Sequence, residues 1–249
     1  MTQAIQRRPG ADAPEVNGPH KRNKPWPVEF YASAVGKKWV MALTGVGLMG
    51  FVFAHMFGNL KMFIGRTDFD EYAHGLRTLF HPILPNEWAL WGLRIGMILM
   101  VAFHIHSAYS LTRMNQRARP IKYQSPRDYI AVNFASRTMR WTGIIIFLFI
   151  LFHLADLTIG WANPDFVAGA AYDNLLQSFE RPVVAVLYVI CNIALGMHLF
   201  HGSWSIFQSM GLNNPRYNGA RRGFAAAFAI TVAGINCVFP IAVQAGLVH

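Results

Sequence analysis

Ten histidines occur in the 249 residues, and six of them, His55, His104, His106, His153, His198 and His201, stand inside long apolar stretches. An ionisable side chain at such a place is costly unless it is paired or bound, so these positions are functional candidates by default. Imidazole is the commonest metal ligand among the side chains. Two imidazoles that face each other can hold a haem iron from both sides. A single buried histidine is usually a hydrogen-bonded structural residue. Four successive apolar stretches that each carry one require that explanation four times over. Two of the stretches also share a pattern: Thr44-Gly45 stands nine residues before His55, and Thr142-Gly143 stands nine residues before His153.

The elements that must position these histidines are membrane-spanning helices. The chain is 53% hydrophobic and only 14% charged, with a mean hydropathy of +0.28, whereas soluble domains carry about 25% charged residues. Five apolar runs, at 39–63, 88–111, 139–159, 182–207 and 224–247, approach or exceed the roughly 20 residues that cross a bilayer. The fifth contains Pro240, which membrane helices tolerate. The fold class expected is all-α, an integral membrane bundle of five transmembrane helices over 37–249. Residues 1–36, with five prolines and scattered charges, read as a flexible cytoplasmic tail. No apolar run follows in the first 30 residues, so no cleavable signal peptide is expected. Cys191 and Cys237 lie in apolar runs and offer no disulfide framework or CxxC metal motif.

The net charge of +10 is an orientation signal and not a nucleic-acid footprint, because the cations sit at the ends of the spans. Lys37 and Lys38 precede the first span. Arg113, Arg117, Arg119, Lys122, Arg127, Arg137 and Arg140 separate the second from the third, and Arg216, Arg221 and Arg222 the fourth from the fifth. The other two connections are acidic or balanced. The positive-inside rule then puts the N-terminus in the cytoplasm and the C-terminus outside. With 1.5 Å of rise per residue, His55 lies about 25 Å and His153 about 20 Å beyond the cytoplasmic ends of their helices, near the outer face. His104 and His198 lie roughly 24 Å past the outer ends of theirs, near the cytoplasmic face. The histidines thus pair by height, first span with third and second with fourth, with about 15 Å between the levels. Two stacked pairs suit bis-imidazole ligation of two haems. Glycines 45, 47, 50, 92, 96 and 143 would give a flat porphyrin access to the helices, or serve helix packing alone. Of the doublets, His104 and His106 differ by about 200° around a helix and cannot face one ligand, whereas either of His198 and His201 can. Electron transfer across the bilayer follows, with a quinone as the other terminus, because the loops carry no nucleotide fingerprint and no nucleophile–base pair.

At TG-x9-His55-x3-Asn59, His104 with the following TRMNQRARP, RWTG-x9-His153 and His198-LFHGSW-x6-Gly211, the chain closely resembles the five-helix, di-haem cytochrome b anchors of succinate dehydrogenases and fumarate reductases. The resemblance extends over 37–247. It is strongest to the Gram-positive and actinobacterial branch, whose partner is usually menaquinone. It implies that His104 and His198 ligate the cytoplasm-side haem b and His55 and His153 the outer one, leaving His106 and His201 in other roles. It also implies an FAD-carrying flavoprotein and an iron–sulfur subunit docked on the cytoplasmic side, within a respiratory-chain complex of the tricarboxylic acid cycle in the cell membrane, itself able to oligomerise. In that complex succinate is oxidised in the partners, and this chain carries electron transfer and quinone binding with no catalytic residue of its own. One position departs from the pattern. Relatives that carry a glutamate two residues before the helix-D ligand have Gly196 here.

Reducing a quinone consumes protons, which calls for a titratable group near the acceptor haem. Asp156, one turn past His153, is the first candidate, followed by His81, Glu87 and Arg94 at the outer entrance to the second span. Arg113, Arg140, His201, Gln208 and Trp204 are candidates for haem propionates or for the face toward the iron–sulfur subunit. Four alternatives make different predictions. A quinol–cytochrome c core places two ligands a dozen or more residues apart on one helix, which no helix here does. A hydrogenase or formate dehydrogenase anchor has different partners. A haem-free transporter shows no Soret band. A two-cysteine, two-histidine iron–sulfur site near Cys191 and His198 is disfavoured by the lone mid-membrane cysteine on each of two helices.

Overall fold

The computed structural model describes residues 25–118, 130–212 and 214–248. Arg119, Lys122 and Arg127, the side chain of Arg137 and most of the expected tail lie outside the described residues. The fold is all-α. Five helical segments among the described residues are long and apolar enough to cross a membrane: Ala34–Phe63, Trp88–Ala118, Thr138–Ile159, Pro182–Ser209 and Pro215–Gln244. The expected five spans correspond to these one for one, and the second and fourth begin at Trp88 and Pro182 as the apolar pattern indicates.

In chain order the helices are α1 (Trp26–Ala32), α2 (Ala34–Asn59), α3 (Arg66–Arg77), α4 (Trp88–Ala118), α5 (Ile130–Leu154), α6 (Ala171–Glu180), α7 (Pro182–Ser209) and α8 (Asn218–Gln244). Their ends follow local rules. Ser33 caps α2 by accepting from the Gly36 amide at 2.9 Å. Pro182 takes the first turn of α7, where a missing N–H costs nothing. A π-helical turn at Ala155–Ile159 prolongs α5 and stops at Gly160, whose φ of +87° is open mainly to glycine.

α4 packs on α2, α5 on α7, and α7 on α8, with α2 also touching α7 and α8. By contrast, neither α4 and α7 nor α2 and α5 are among the closely packed helix pairs of the described residues. The bundle is therefore two antiparallel hairpins, α2–α4 and α5–α7, backed by α8. Residues turned outward from it are apolar, such as Ile98, Ile144, Val186 and Ile230, as a surface facing lipid requires. A cluster of Met62, Phe69, Leu175, Leu176, Phe179, Tyr188, Phe239 and Val243 closes the end of the bundle remote from the start of α2.

Three short helices go beyond the five-span reading. α1 falls within the segment read as tail. It starts on Pro25 and Pro27 and lays Tyr31 against α4, where Tyr31 Oη meets Nδ1 of His106 at 2.5 Å. α3 and α6 cap the remote end, joined by an Arg66–Asp173 ion pair at 2.5 Å and by the Tyr172 amide donating to Asp70 at 3.0 Å.

Candidate functional site

The hairpins bring the histidines together across the two helix pairs that are not closely packed. At the level nearer the start of α2, His104 of α4 and His198 of α7 face each other with ring centroids 6.4 Å apart. At the far level, His55 of α2 and His153 of α5 lie 5.8 Å apart. Two metal–nitrogen bonds of about 2 Å each, plus the two ring radii, separate such centroids by about 6 Å. The rings of both pairs stand at that spacing.

Each Thr-Gly pair serves the near level, not the histidine that follows it on its own helix. Thr44 Oγ1 donates to the Val40 carbonyl at 2.7 Å and so is left to accept from Nδ1 of His104, 3.2 Å away. Thr142 repeats this, donating to the Thr138 carbonyl at 3.0 Å and accepting from Nδ1 of His198 at 3.3 Å. A hydroxyl whose own hydrogen is committed forces the proton of a neutral imidazole onto Nδ1, and Nε2 keeps its lone pair for a metal. The glycines stand beside the rings, where a Cβ would make an ordinary van der Waals contact. A Cβ on Gly45 would lie 3.4 Å from Cε1 of His104, and one on Gly143 would lie 3.6 Å from Cε1 of His198. The helix period explains the repeat. Thr and His eleven residues apart differ by about 20° around the axis and by about 16 Å along it, so one face of α2, and one of α5, serves both levels.

The far level is held differently. Nδ1 of His153 lies 3.3 Å from Tyr188 Oη, and Tyr188 donates onward to Asp156 Oδ2 at 3.0 Å. Asp156, 0% exposed, is ion-paired with Arg181, which also donates to the Ala162 carbonyl at 2.7 Å and to Ser178 Oγ at 3.2 Å. Phe149, Phe152 and Phe179 pack edge-on around Tyr188. His55 stacks on Phe51 with centroids 5.5 Å apart and has no hydrogen bond among the described residues. An imidazole at membrane depth without a partner is unsatisfied, and a metal on Nε2 would satisfy that nitrogen. The donor set and its tautomers therefore fit two bis-histidine haems.

The other expected residues fall in different places. His106 is engaged with Tyr31 on the far side of α4. Arg140, His201 and Gln208 lie near the ends of α5 and α7 that carry the near level. Arg113 is turned about 180° from His104 around α4 and lines a groove with Lys37. Asp156 is enclosed by Arg181 and Tyr188. His81 and Glu87 are exposed in the connection before α4, and Arg94 stacks over Trp91 at 4.9 Å. Gly196 faces Ala233 of α8, where a Cβ would come within 2.8 Å of the alanine Cβ, so the glutamate of other relatives has no room here. Tyr188 and Arg181 do not appear among the sequence candidates, and the two threonines appear only as part of the repeat, without the role that the fold gives them. The available signal was a lone cation, Arg181, in an otherwise acidic connection, with a carboxylate inside an apolar run.

The fold defines the class, a multi-pass, all-helical membrane protein with histidines paired at two depths. Residues 131–236 match the family model of the succinate dehydrogenase/fumarate reductase transmembrane subunit. The match spans α5 to α7 and most of α8, under half of the chain, so this stretch is similar to that family. Comparison with curated proteins and with solved structures returned no match.

Proposed function

We propose that the chain is the cytochrome b anchor of a succinate:quinone oxidoreductase, with one haem b held by His104 and His198 and a second by His55 and His153. The observation that carries this reading is the pair of facing imidazoles at each of two levels, 6.4 and 5.8 Å apart, three of the four with Nδ1 engaged by a hydroxyl. The haems, if bound, would supply one-electron carriers at the two levels held by these histidines.

The chain's own part is to orient the ligands and exclude water. Thr44 and Thr142 fix the tautomers at the near level, and Tyr188 fixes His153 at the far level. Arg140, His201 and Gln208 lie where propionates of the near haem would reach. Electrons enter from an iron–sulfur subunit that is joined to an FAD-bearing flavoprotein on the cytoplasmic side, and they leave to menaquinone near the outer face. Asp156 is the carboxylate linked to a ligand histidine, and His81, Glu87 and Arg94 are the outer-face groups proposed for quinone and protons. The N-terminus is cytoplasmic in this reading. The family description names both succinate dehydrogenase and fumarate reductase, and the same wiring run in reverse would serve fumarate reduction.

The test is selective loss. His153→Ala is expected to remove one haem from the purified complex and His198→Ala the other, each leaving about half the b-type absorbance. Full absorbance in either folded variant contradicts the assignment.

A further inference from the structure

Outside the histidine levels, cations converge on one place. Lys37 of α2 and Arg113 and Arg117 of α4 line a groove of about 350 Å³ together with Tyr109, Ser110 and Met114. Among the described residues no carboxylate lines it, and none of the three cations forms an ion pair. Lys37 is the telling member. It is only 9% exposed, and its Nζ sits 4.2 Å above the ring of Tyr31. A ring face compensates a buried ammonium in part, but a buried cation ordinarily has an anion beside it. Tyr31 is fixed by its bonds to His106 and Ser107 on α4, so α1 and α4 hold the lysine in place.

The groove is separate from the haem levels. Around α4, its residues lie between about 140° and 280° from His104, on the side facing α1 and the surroundings. Toward the membrane interior it continues as an apolar strip. Ile98, Ile105 and Tyr109 fall within about 40° of one another around the helix, and they are 65, 43 and 61% exposed. A polar, cationic head region above an exposed apolar strip, at the end of a membrane crossing, has the shape of a phospholipid.

We propose that this groove binds the phosphate diester of an anionic phospholipid, with Lys37, Arg113 and Arg117 as counter-charges, Ser110 and Tyr109 as hydroxyl donors, and the acyl chains along Ile98–Ile105. The proposal stands apart from the haem reading and needs only the membrane orientation of the helices. Three cations close to an anionic headgroup are together worth about a hundredfold in affinity.

The experiment purifies the full chain with its native partners in mild detergent and quantifies retained lipid by mass spectrometry, in wild type and in K37Q/R113Q/R117Q. A second arm measures thermal unfolding in nanodiscs of phosphatidylcholine, with and without phosphatidylglycerol, and with inorganic phosphate in its place. Wild type is expected to retain anionic lipid and to gain stability from phosphatidylglycerol but not from phosphate, and the variant to lose both. R113Q/R117Q, which changes two exposed positions and leaves Lys37 in place, gives the same comparison if the triple variant does not fold. Equal lipid retention in wild type and variant overturns the proposal. So does stabilisation by inorganic phosphate alone, which marks a free-anion site. Loss of a partner subunit with lipid retained also overturns it, because the groove then seats an acidic protein segment.

Discussion

A histidine that gives one nitrogen to a metal carries its proton on the other, and an acceptor for that proton fixes the tautomer and the ring. In this chain that acceptor is a hydroxyl at three of the four proposed ligands, Thr44 for His104, Thr142 for His198 and Tyr188 for His153. Outer-shell partners of this kind are typically worth 10–100-fold in metal affinity. Thr44→Val and Thr142→Val are accordingly expected to weaken or shift the near haem and leave the far one unchanged, with Thr→Ser restoring the native signal. Redox titration followed by EPR separates the two haems. Tyr188→Phe should act on the far haem alone. Arg181→Gln leaves Asp156 as an unpaired buried charge. Because Arg181 is itself about one-third exposed (31%), the cost should fall near the lower end of the roughly 3–5 kcal/mol typical of such losses, read as a lowered unfolding temperature. The four facing histidines stood out in the sequence because their types and spacing could carry that chemistry. Tyr188 and Arg181 did not, because they reach Asp156 from 32 and 25 residues away, through packing that no local pattern encodes.

At the scale of elements, the repeated Thr-Gly-x9-His motif has a geometric meaning that glycine access to a porphyrin does not capture. Eleven residues are close to three full turns, so α2 and α5 each present a threonine to one level and a histidine to the other on a single face. The hairpins α2–α4 and α5–α7 are then two copies of one device. The long helices were legible from hydropathy alone. The helices α1, α3 and α6 were not, because each is short and its burial depends on neighbours: Phe69 of α3 and Tyr172, Leu175, Leu176 and Phe179 of α6 have a core only once the bundle end is assembled. The departure at Gly196 also belongs to this scale. α7 and α8 approach closely at Gly196 and Ala233, so Gly196→Glu should overpack the contact and destabilise by at least about 1–3 kcal/mol. Ala233→Gly in the same chain should recover part of the loss, as measured by thermal unfolding in detergent.

At the scale of the whole molecule, the charge distribution carries the proposed orientation of the bundle in the membrane. Native Cys191 is buried, Cys237 is partly so, and both lie within crossing helices, which leaves introduced cysteines as clean reporters. A membrane-impermeant thiol reagent applied from outside is expected to label Asp165→Cys, and to label Arg222→Cys only after permeabilisation. The reverse pattern would contradict the orientation. The central claim, that four histidines on four helices hold two haems, is tested most directly by haem stoichiometry. The dithionite-reduced minus oxidised spectrum of the purified complex, with pyridine haemochrome quantitation, should give two b-type haems per copy of this chain. A value of zero, with no Soret band, would contradict the account.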